Sequence, residues 1–170
     1  MSTKSFIINL PIITGDQDRR RLRKSFSFGC NLQNAVMGGG WDRVQQMRAT
    51  PEWQAARVMP KGKERTQAFR DLRIRFRLSE YDFHADVAQH RKASGRGHLL
   101  GINECQKLAS RAWISVERHL YEGGSPRFIS SGRGLHSFEG KTNRTGIIWK
   151  ADQQCVTVCK RVYRVRVDKR

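Results

Sequence analysis

The stretch Asn103–Gly124, "NECQKLASRAWISVERHLYEGG", decides the fold that this sequence predicts. Its apolar residues recur every three or four positions, which is the period of a helix with one buried face. They are Cys105, Leu108, Ala112, Val116 and Leu120. The pair Gly123-Gly124 ends the helix, and beyond it the apolar period changes to two. The chain is therefore expected to change from helices to short strands at this point.

Five short β-type runs follow Gly124, separated by Gly, Asn, Asp and Gln. They are "PRFIS", "GLHSFEG", "TGIIW", "CVTVC" and "RVYRVRV". In the last run Tyr163 and Val165 alternate with Arg164 and Arg166, so one face is apolar and the other is cationic. This spacing predicts an antiparallel meander or a small barrel.

Helical signals fill the sequence upstream. Asp16 and Asp18 lie at the start of an amphipathic helix, which we expect to end at the three glycines 38–40. Thr50-Pro51 predicts the start of a short helix with Trp53 inside, and a further amphipathic helix begins near Glu64. Ser79, in "SEYD", is the expected cap of the next helix.

The run "KSFIINLPI" predicts a strand from Phe6 to Leu10 that Pro11 ends. The predicted fold is therefore α+β, with a split oligonucleotide-binding-type β-barrel and an inserted α-helical bundle. Residues 1–15 hold the first strand of the barrel, 16–123 the helical domain and 124–170 the rest of the barrel.

The charge points to a polyanion as partner. Lys and Arg number 33 against 15 Asp and Glu, so the formal net charge is +18 and the sequence pI is about 10.9. Such an excess costs self-repulsion in a compact state unless phosphates and counterion release offset it. Residues 19–24 alone include five cations, and residues 124–170 carry 11 cations against three carboxylates.

No catalytic or metal-binding pattern accompanies these cations. The five His show no paired-ligand spacing, and the acidic residues lie at helix starts or beside cations. Cys155 and Cys159 are spaced more widely than a usual zinc pair, which favours a strand core. "GKT" at Gly140 lacks the upstream glycine of a nucleotide-binding P-loop. The sequence predicts a binding protein, and the reduced cysteines and the absence of a signal peptide or a long apolar run predict an intracellular, non-membrane one.

A longer stretch resembles a known family. Residues 103–147, "NECQKLASRAWISVERHLYEGGSPRFISSGRGLHSFEGKTNRTGI", are similar to a junction in transposon-encoded TnpB proteins and their type V CRISPR (Cas12) relatives, which are RNA-guided nucleases. The opening strand, "FSFGC" and "LSEYDF" agree in order with that family. Ile129 stands where the family usually has Lys. The resemblance covers most of the chain but only the N-terminal lobe of the family, its wedge and recognition domains.

The resemblance implies that this lobe binds a guide RNA, the guide–target heteroduplex and a short motif beside the double-stranded target DNA. It implies a cytoplasmic, prokaryotic, nucleoid-associated protein. The RuvC nuclease domain and the zinc element of the family are absent from this chain, which stops about where the first RuvC strand would begin. A truncated protein and a natural nuclease-free form both stay open. No cofactor is implied here, and Mg²⁺ is expected only where a RuvC domain is present.

Site residues follow from the same resemblance. Lys141, Thr142 and Asn143 are expected at the DNA motif, where Asn143 can read an adenine edge and Thr142 a thymine methyl. RNA or heteroduplex contacts are expected from Arg19, Arg20, Arg23, Arg73, Arg75, Arg77, Arg127, Arg133, Arg144, Trp149, Arg164 and Arg166. No catalytic residue and no metal ligand are expected.

Two other functions fit the same residues. The chain could be a plain RNA-binding or ribosome-associated protein with an oligonucleotide-binding barrel, which would bind RNA with steep salt dependence and have no DNA role. It could also be a regulatory module whose helical bundle binds protein. The RNA that copurifies with the protein separates these functions from the guide-RNA hypothesis.

Overall fold

The computed structural model describes residues 10–121, 123–130, 132–142 and 144–167. These residues form five helices and four strands. In chain order the elements are β1 (Ile12–Ile13), α1 (Asp16–Arg48), α2 (Pro51–Val58), α3 (Lys63–Arg75), α4 (Glu80–Ala93), α5 (Ile102–Glu117), β2 (Ile148–Lys150), β3 (Cys155–Val158) and β4 (Arg161–Val165). The α+β class is confirmed.

Helix α1 is longer than the sequence predicts, because it continues through residues 38–40 to Arg48. The expected stop at these glycines is wrong. A Cβ atom added to Gly40 would lie 2.1 Å from Cζ of Phe83, a fully buried ring on α4. Glycine at this position lets α4 approach α1 closely, and tertiary packing outweighs its low helix propensity of about 1 kcal/mol.

The core lies between α1, α4 and α5, with α2 and α3 packed at one end. The predicted helix caps are confirmed, since the Thr50 side chain accepts a hydrogen bond from the Trp53 amide and Ser79 accepts one from the Asp82 amide. The predicted helix that runs to Tyr121 and ends at Gly123-Gly124 is shorter in the structure, where α5 ends at Glu117. Its predicted inward residues are confirmed, because Cys105, Leu108, Ala112 and Val116 are each no more than 1% exposed, and Leu120 is equally buried in the turn that follows the helix.

Residues 125–130 and 132–142, which we call the strap, differ from the prediction. "PRFIS" and "GLHSFEG" were expected to be strands, but neither forms one in the structure. Their apolar and polar side chains contact α1 and α5 instead of a neighbouring strand. The prediction of two strands here is therefore wrong, because these residues pack on helices and pair with no strand.

The strands form one antiparallel sheet in the order β1-β4-β3-β2. Strand β1 pairs with β4 through Ile12 with Val165 and Ile13 with Arg164, and all five helices lie between β1 and β2 in the chain. The described strands leave this sheet open and do not close it into a barrel. Of the predicted strand Phe6 to Leu10, only Leu10 lies within the described residues, and β1 begins after Pro11.

Alternation in β4 is confirmed, because Tyr163 and Val165 are buried while Arg164 is exposed. The four cysteines are free and buried, as the core assignment predicts. Burial raises the pKa of Cys105 to about 11 and that of Cys159 to about 12, so both thiols stay protonated at neutral pH. They pack as small hydrophobic residues.

Replacing Gly40 with Ala is expected to lower the free energy of unfolding by about 1–3 kcal/mol, because the new methyl group meets the buried Phe83 ring. Gly39→Ala is the matched control on the same helix. A Cβ there meets no atom within 4 Å, so stability should rise by about 0.5–1 kcal/mol. Urea titration measures both variants. Equal stabilisation by both substitutions would contradict the close approach at Gly40.

Candidate nucleic-acid interface

The strap is held along α1 by a side-chain clamp and a ring contact. The Asn34 side chain donates to the Ile129 carbonyl at 2.8 Å and accepts from the Ile129 amide at 3.0 Å. Phe138 stacks on Phe26 with ring centroids 4.5 Å apart. A Cβ on Gly29 would lie 2.8 Å from the Phe138 ring, so glycine allows this approach. The "FSFGC" and "SFEG" motifs therefore contact each other.

The strap also contacts α5 through polar groups. The Arg111 guanidinium donates to the Ser137 carbonyl at 3.0 Å and pairs with Glu139, whose carboxylate lies 3.9 Å from the Lys107 ammonium. Further along, the Lys141 ammonium donates to the side-chain carbonyl of Gln106 at 3.1 Å. Because this partner is neutral, it does not compensate the positive charge of the exposed Lys141.

The turn that follows Lys141 is held by its own hydroxyl groups. Thr142 and Thr145 form a single antiparallel bridge, and their hydroxyl oxygens lie 2.8 Å apart. The Thr142 hydroxyl also accepts from the Arg144 amide at 3.2 Å. Asn143 lies outside the described residues. The Thr142 hydroxyl is thus used within the turn, and its methyl group is the part left for an outside contact.

Residues 96–100 form a loop that lies beside α1. Four side chains hold its carbonyl groups. Arg21 donates to His98 at 3.0 Å and Ser25 to Leu99 at 2.9 Å, both from α1. Arg91 donates to Gly97 and Leu100, and Lys160 to Gly97. The loop is therefore fixed to α1, α4 and the sheet.

Three neighbouring hollows lie along α1, and we call them together the α1 groove. They share one exposed face of α1 as their floor, formed by Arg23, Ser27, Asn31 and Ala35 at successive helical turns. Arg96 and His98 line one side, and Gly134 and Leu135 of the strap line the other. Ser27 and Asn31 on the floor, together with the cations Arg23 and Arg96, suit a phosphate backbone and provide no pattern for reading bases.

The cations of the α1 groove lack acidic partners. Arg23, Lys24 and Arg96 are exposed, and no described carboxylate lies within 4.0 Å of their charged atoms. The same holds for Arg20, which lies on α1 but does not line the groove. Arg19 differs, because its guanidinium lies 3.4 Å from Asp16. An anion entering the groove therefore meets unneutralised charge at the N-terminal part of α1 and at the loop.

Three arginines that were predicted to contact RNA lie on α3 or just after it, and each forms an ion pair with a carboxylate. Arg73 lies 3.7 Å from Glu117, and Arg75 lies 3.0 Å from Glu52. Arg77, in a left-handed backbone conformation (φ 53°), lies 3.5 Å from Asp82 and 3.3 Å from Asp86. The structure does not bring these arginines to the α1 groove, and their charge is already compensated.

The remaining predicted residues are divided between the strap and the sheet. Arg127, Arg133 and Arg144 are exposed, and Arg133 directly precedes groove residue Gly134. In the sheet, Trp149 pairs with Val156, and Val156 pairs with Tyr163, so these three side chains lie on the same face. Arg164 follows Tyr163 along β4 and therefore lies on the opposite face. Arg166 is exposed just beyond β4, where its amide donates to the Pro11 carbonyl at 2.8 Å.

Sequence reasoning missed two sets of residues. Lys24, Ser27, Asn31 and Arg96 complete the α1 groove, and the i, i+4 spacing of Ser27 and Asn31 on a helix was the signal available for them. The second set surrounds aromatic rings beside α2 and α3 and consists of Arg57, Lys61, Arg65 and Arg70. The available signal for most of this set was residues 57–65, "RVMPKGKER", which contain four cations and one acidic residue around Pro60 and Gly62.

Two searches of the described residues gave no site. No helix among them combines the length and apolar character that a membrane span requires. No group of three or more His, Cys, Asp or Glu within the same residues is arranged to hold a metal ion.

Comparison with protein-family models, with curated proteins and with solved structures gives no match for this chain.

Asn34→Ala is expected to release the strap from α1, because it removes both hydrogen bonds to Ile129. The free energy of unfolding should fall by about 1–3 kcal/mol, and the Ile129 amide should exchange faster with solvent. Asn31→Ala, an exposed substitution one turn earlier, is the control and should change neither quantity. Unchanged exchange at Ile129 in the Asn34 variant would show that the clamp does not hold the strap.

Proposed function

We propose that this chain is the N-terminal lobe of a TnpB/Cas12-like RNA-guided DNA-binding protein. It binds guide RNA, the guide–target heteroduplex and a short motif beside the target DNA. The observation that carries this proposal is the α1 groove, whose cations Arg23, Lys24 and Arg96 have no described acidic partner. In a protein with a formal charge of +18, such a groove favours a polyanion.

The proposed ligand of the groove is the backbone of RNA or of the heteroduplex. Arg23 on the floor and Arg96 on the loop meet phosphates, while Ser27 and Asn31 donate or accept hydrogen bonds to sugars and phosphates. Because these groups contact backbone rather than bases, sequence selection is left to base pairing. This division of labour is the one expected of an RNA-guided protein.

We further propose that the open sheet is one part of a split oligonucleotide-binding barrel. The pairing of β1 with β4 supports this, because it joins strands from the two ends of the described chain with every helix between them. The helices then form the inserted recognition domain. Arg164 and Arg166 are the exposed cations that this barrel presents.

The turn at Lys141 is the proposed reader of the target-adjacent motif. The strap and α5 hold this turn at its base through the pairs Arg111–Glu139 and Lys141–Gln106. Lys141 supplies charge for a DNA phosphate, and the Thr142 methyl suits a thymine methyl. Asn143 retains its predicted role at an adenine edge.

Loss of groove charge should weaken RNA binding and its dependence on salt. In the double variant Arg23→Gln/Arg96→Gln, the slope of log affinity against log salt should fall by about 1.5, near 0.7 to 0.9 per lost phosphate contact. The control Arg75→Gln/Arg118→Gln removes the same charge from exposed sites outside the groove and should leave the slope nearly unchanged. Fluorescence anisotropy measures both, and equal slopes in the two double variants would refute the groove.

Guide dependence is tested with the RNA that copurifies with the protein. Cognate DNA should be retained only when the protein carries a matching guide. Sequence-specific DNA binding without RNA would overturn the proposal, and RNA binding with no DNA retention would favour the plain RNA-binding function.

Thr142→Ser tests the motif reader with little disturbance to the turn. Serine keeps the hydroxyl that bonds Thr145 and the Arg144 amide, and it removes only the methyl. The variant should bind motif-bearing target more weakly by about 5- to 30-fold, equivalent to about 1–2 kcal/mol, and bind guide RNA as the wild type does. The variant Asn143→Ala should behave in the same way. Equal losses for target and guide RNA would contradict this role.

A further inference from the structure

A second candidate site lies away from the α1 groove, between α2, α3 and Tyr121. Two adjoining hollows of about 740 Å³ and about 460 Å³ share Thr66, Phe69 and Tyr121 as lining residues. Neither hollow contains a residue of the α1 groove or of the turn at Lys141. The fold thus provides a separate concave surface that the proposed function has not used.

Two aromatic rings, Phe69 and Tyr121, line both hollows, and Trp53 lines the smaller one. Tyr121 stacks on Trp53 with centroids 6.0 Å apart and planes 13° apart, and Phe69 meets both rings edge-on. Trp53 is 4% exposed, whereas Tyr121 is 54% exposed. The buried Trp53 ring and the partly buried Phe69 ring therefore contact and support the exposed Tyr121 ring. A rigid exposed ring of this kind is a suitable platform for a flat aromatic ligand.

Cations surround the platform. Arg57, Lys61 and Arg65 line the smaller hollow, and Arg70 lines the larger one. Among the described residues no carboxylate lies within 4.0 Å of their charged atoms. Burial lowers the pKa of Arg48, and the nearby positive charge of Arg57 lowers it further.

The acidic group in the larger hollow does not cancel this charge. Asp82 lines it, but its carboxylate lies 3.5 Å from Arg77 and 2.5 Å from the Ser79 hydroxyl. The combination that remains is an aromatic surface beside four cations. A nucleotide has the complementary combination of a flat base and an adjacent phosphate.

We propose that Tyr121 stacks on an unpaired base of bound RNA, whose neighbouring phosphates contact Arg57, Lys61 and Arg70. This inference rests on the proposed function for the choice of RNA, because proteins recognise RNA chiefly by stacking on unpaired bases of loops and ends. Bases inside a duplex have no free face for Tyr121. The site therefore distinguishes single-stranded from paired segments of the same RNA.

The test compares three probes with the full chain: single-stranded oligouridine RNA, a fully paired RNA duplex and single-stranded oligothymidine DNA. Tyr121→Leu, which keeps an apolar side chain against Trp53 and Phe69, should weaken oligouridine binding by about 5- to 150-fold. Binding of the duplex should change less than twofold. Tyr121→Phe should bind all three probes nearly as the wild type does, since it keeps the ring.

Tyr81 provides the matched control, because it is the exposed tyrosine of α4 and is 84% exposed. Tyr81→Leu should leave oligouridine binding unchanged. A thermal unfolding midpoint for each variant establishes that the chain is folded. If Tyr121→Leu is folded and binds oligouridine normally, or loses duplex binding equally, the stacking site is wrong. A larger loss for oligothymidine than for oligouridine would overturn the assignment to RNA.

These outcomes are separable from those of the proposed function. Loss of oligouridine binding in Tyr121→Leu, in a protein that retains DNA without a guide, would support the stacking site and refute the guide-RNA function. Guide-dependent DNA retention together with normal oligouridine binding by Tyr121→Leu would refute the stacking site alone.

Discussion

The contact of the strap with α1 at Gly29 and Asn34 is the constraint on which the rest of the interface depends. The missing Cβ of Gly29 admits the Phe138 ring, and Asn34 bonds both backbone groups of Ile129. Because the Asn34 bonds are made to backbone, the Ile129 side chain does not take part in them. One wall of the α1 groove and the path of the chain to the turn at Lys141 both follow from this contact.

Charge compensation then divides the arginines into two groups. Arg43 and Arg77 contact the largely buried Asp86, and Arg73 and Arg75 contact carboxylates of neighbouring elements, so these cations contribute to the fold. Arg23 and Arg96 have no such partner among the described residues. Arg23 and Arg96 therefore present uncompensated charge beside a concave surface, where a polyanion is bound favourably.

Much of the helical part could be predicted from the sequence, because caps and periodicity are local signals. Thr50, Ser79 and the apolar stripe of α5 behave as their patterns indicate. The predicted helix end at glycines 38–40 was wrong, because Gly40 is needed for the close approach of the Phe83 ring, which is distant in sequence. The strap misled it as well. Alternation predicts an extended chain, and only the tertiary structure determines whether a strand or a helix lies beside it.

The candidate site was less predictable than the fold. Periodicity does not reveal which cations have acidic partners, so Arg73, Arg75 and Arg77 could not be distinguished from Arg23 in advance. Arg96 and Tyr121 come from loops, and their relation to α1 and α2 depends on long-range contacts. The Thr142 hydroxyl is likewise committed to the turn, which no local pattern indicated.

We propose that the α1 groove holds the backbone of a bound RNA. The decisive experiment is ultraviolet crosslinking of the protein to any RNA that copurifies with it, followed by mass spectrometry of the crosslinked peptides. Crosslinks are expected in residues 23–35, in the loop 96–98 and in the strap near Arg133. Crosslinks confined to other surfaces, with these three segments unmodified, would contradict it.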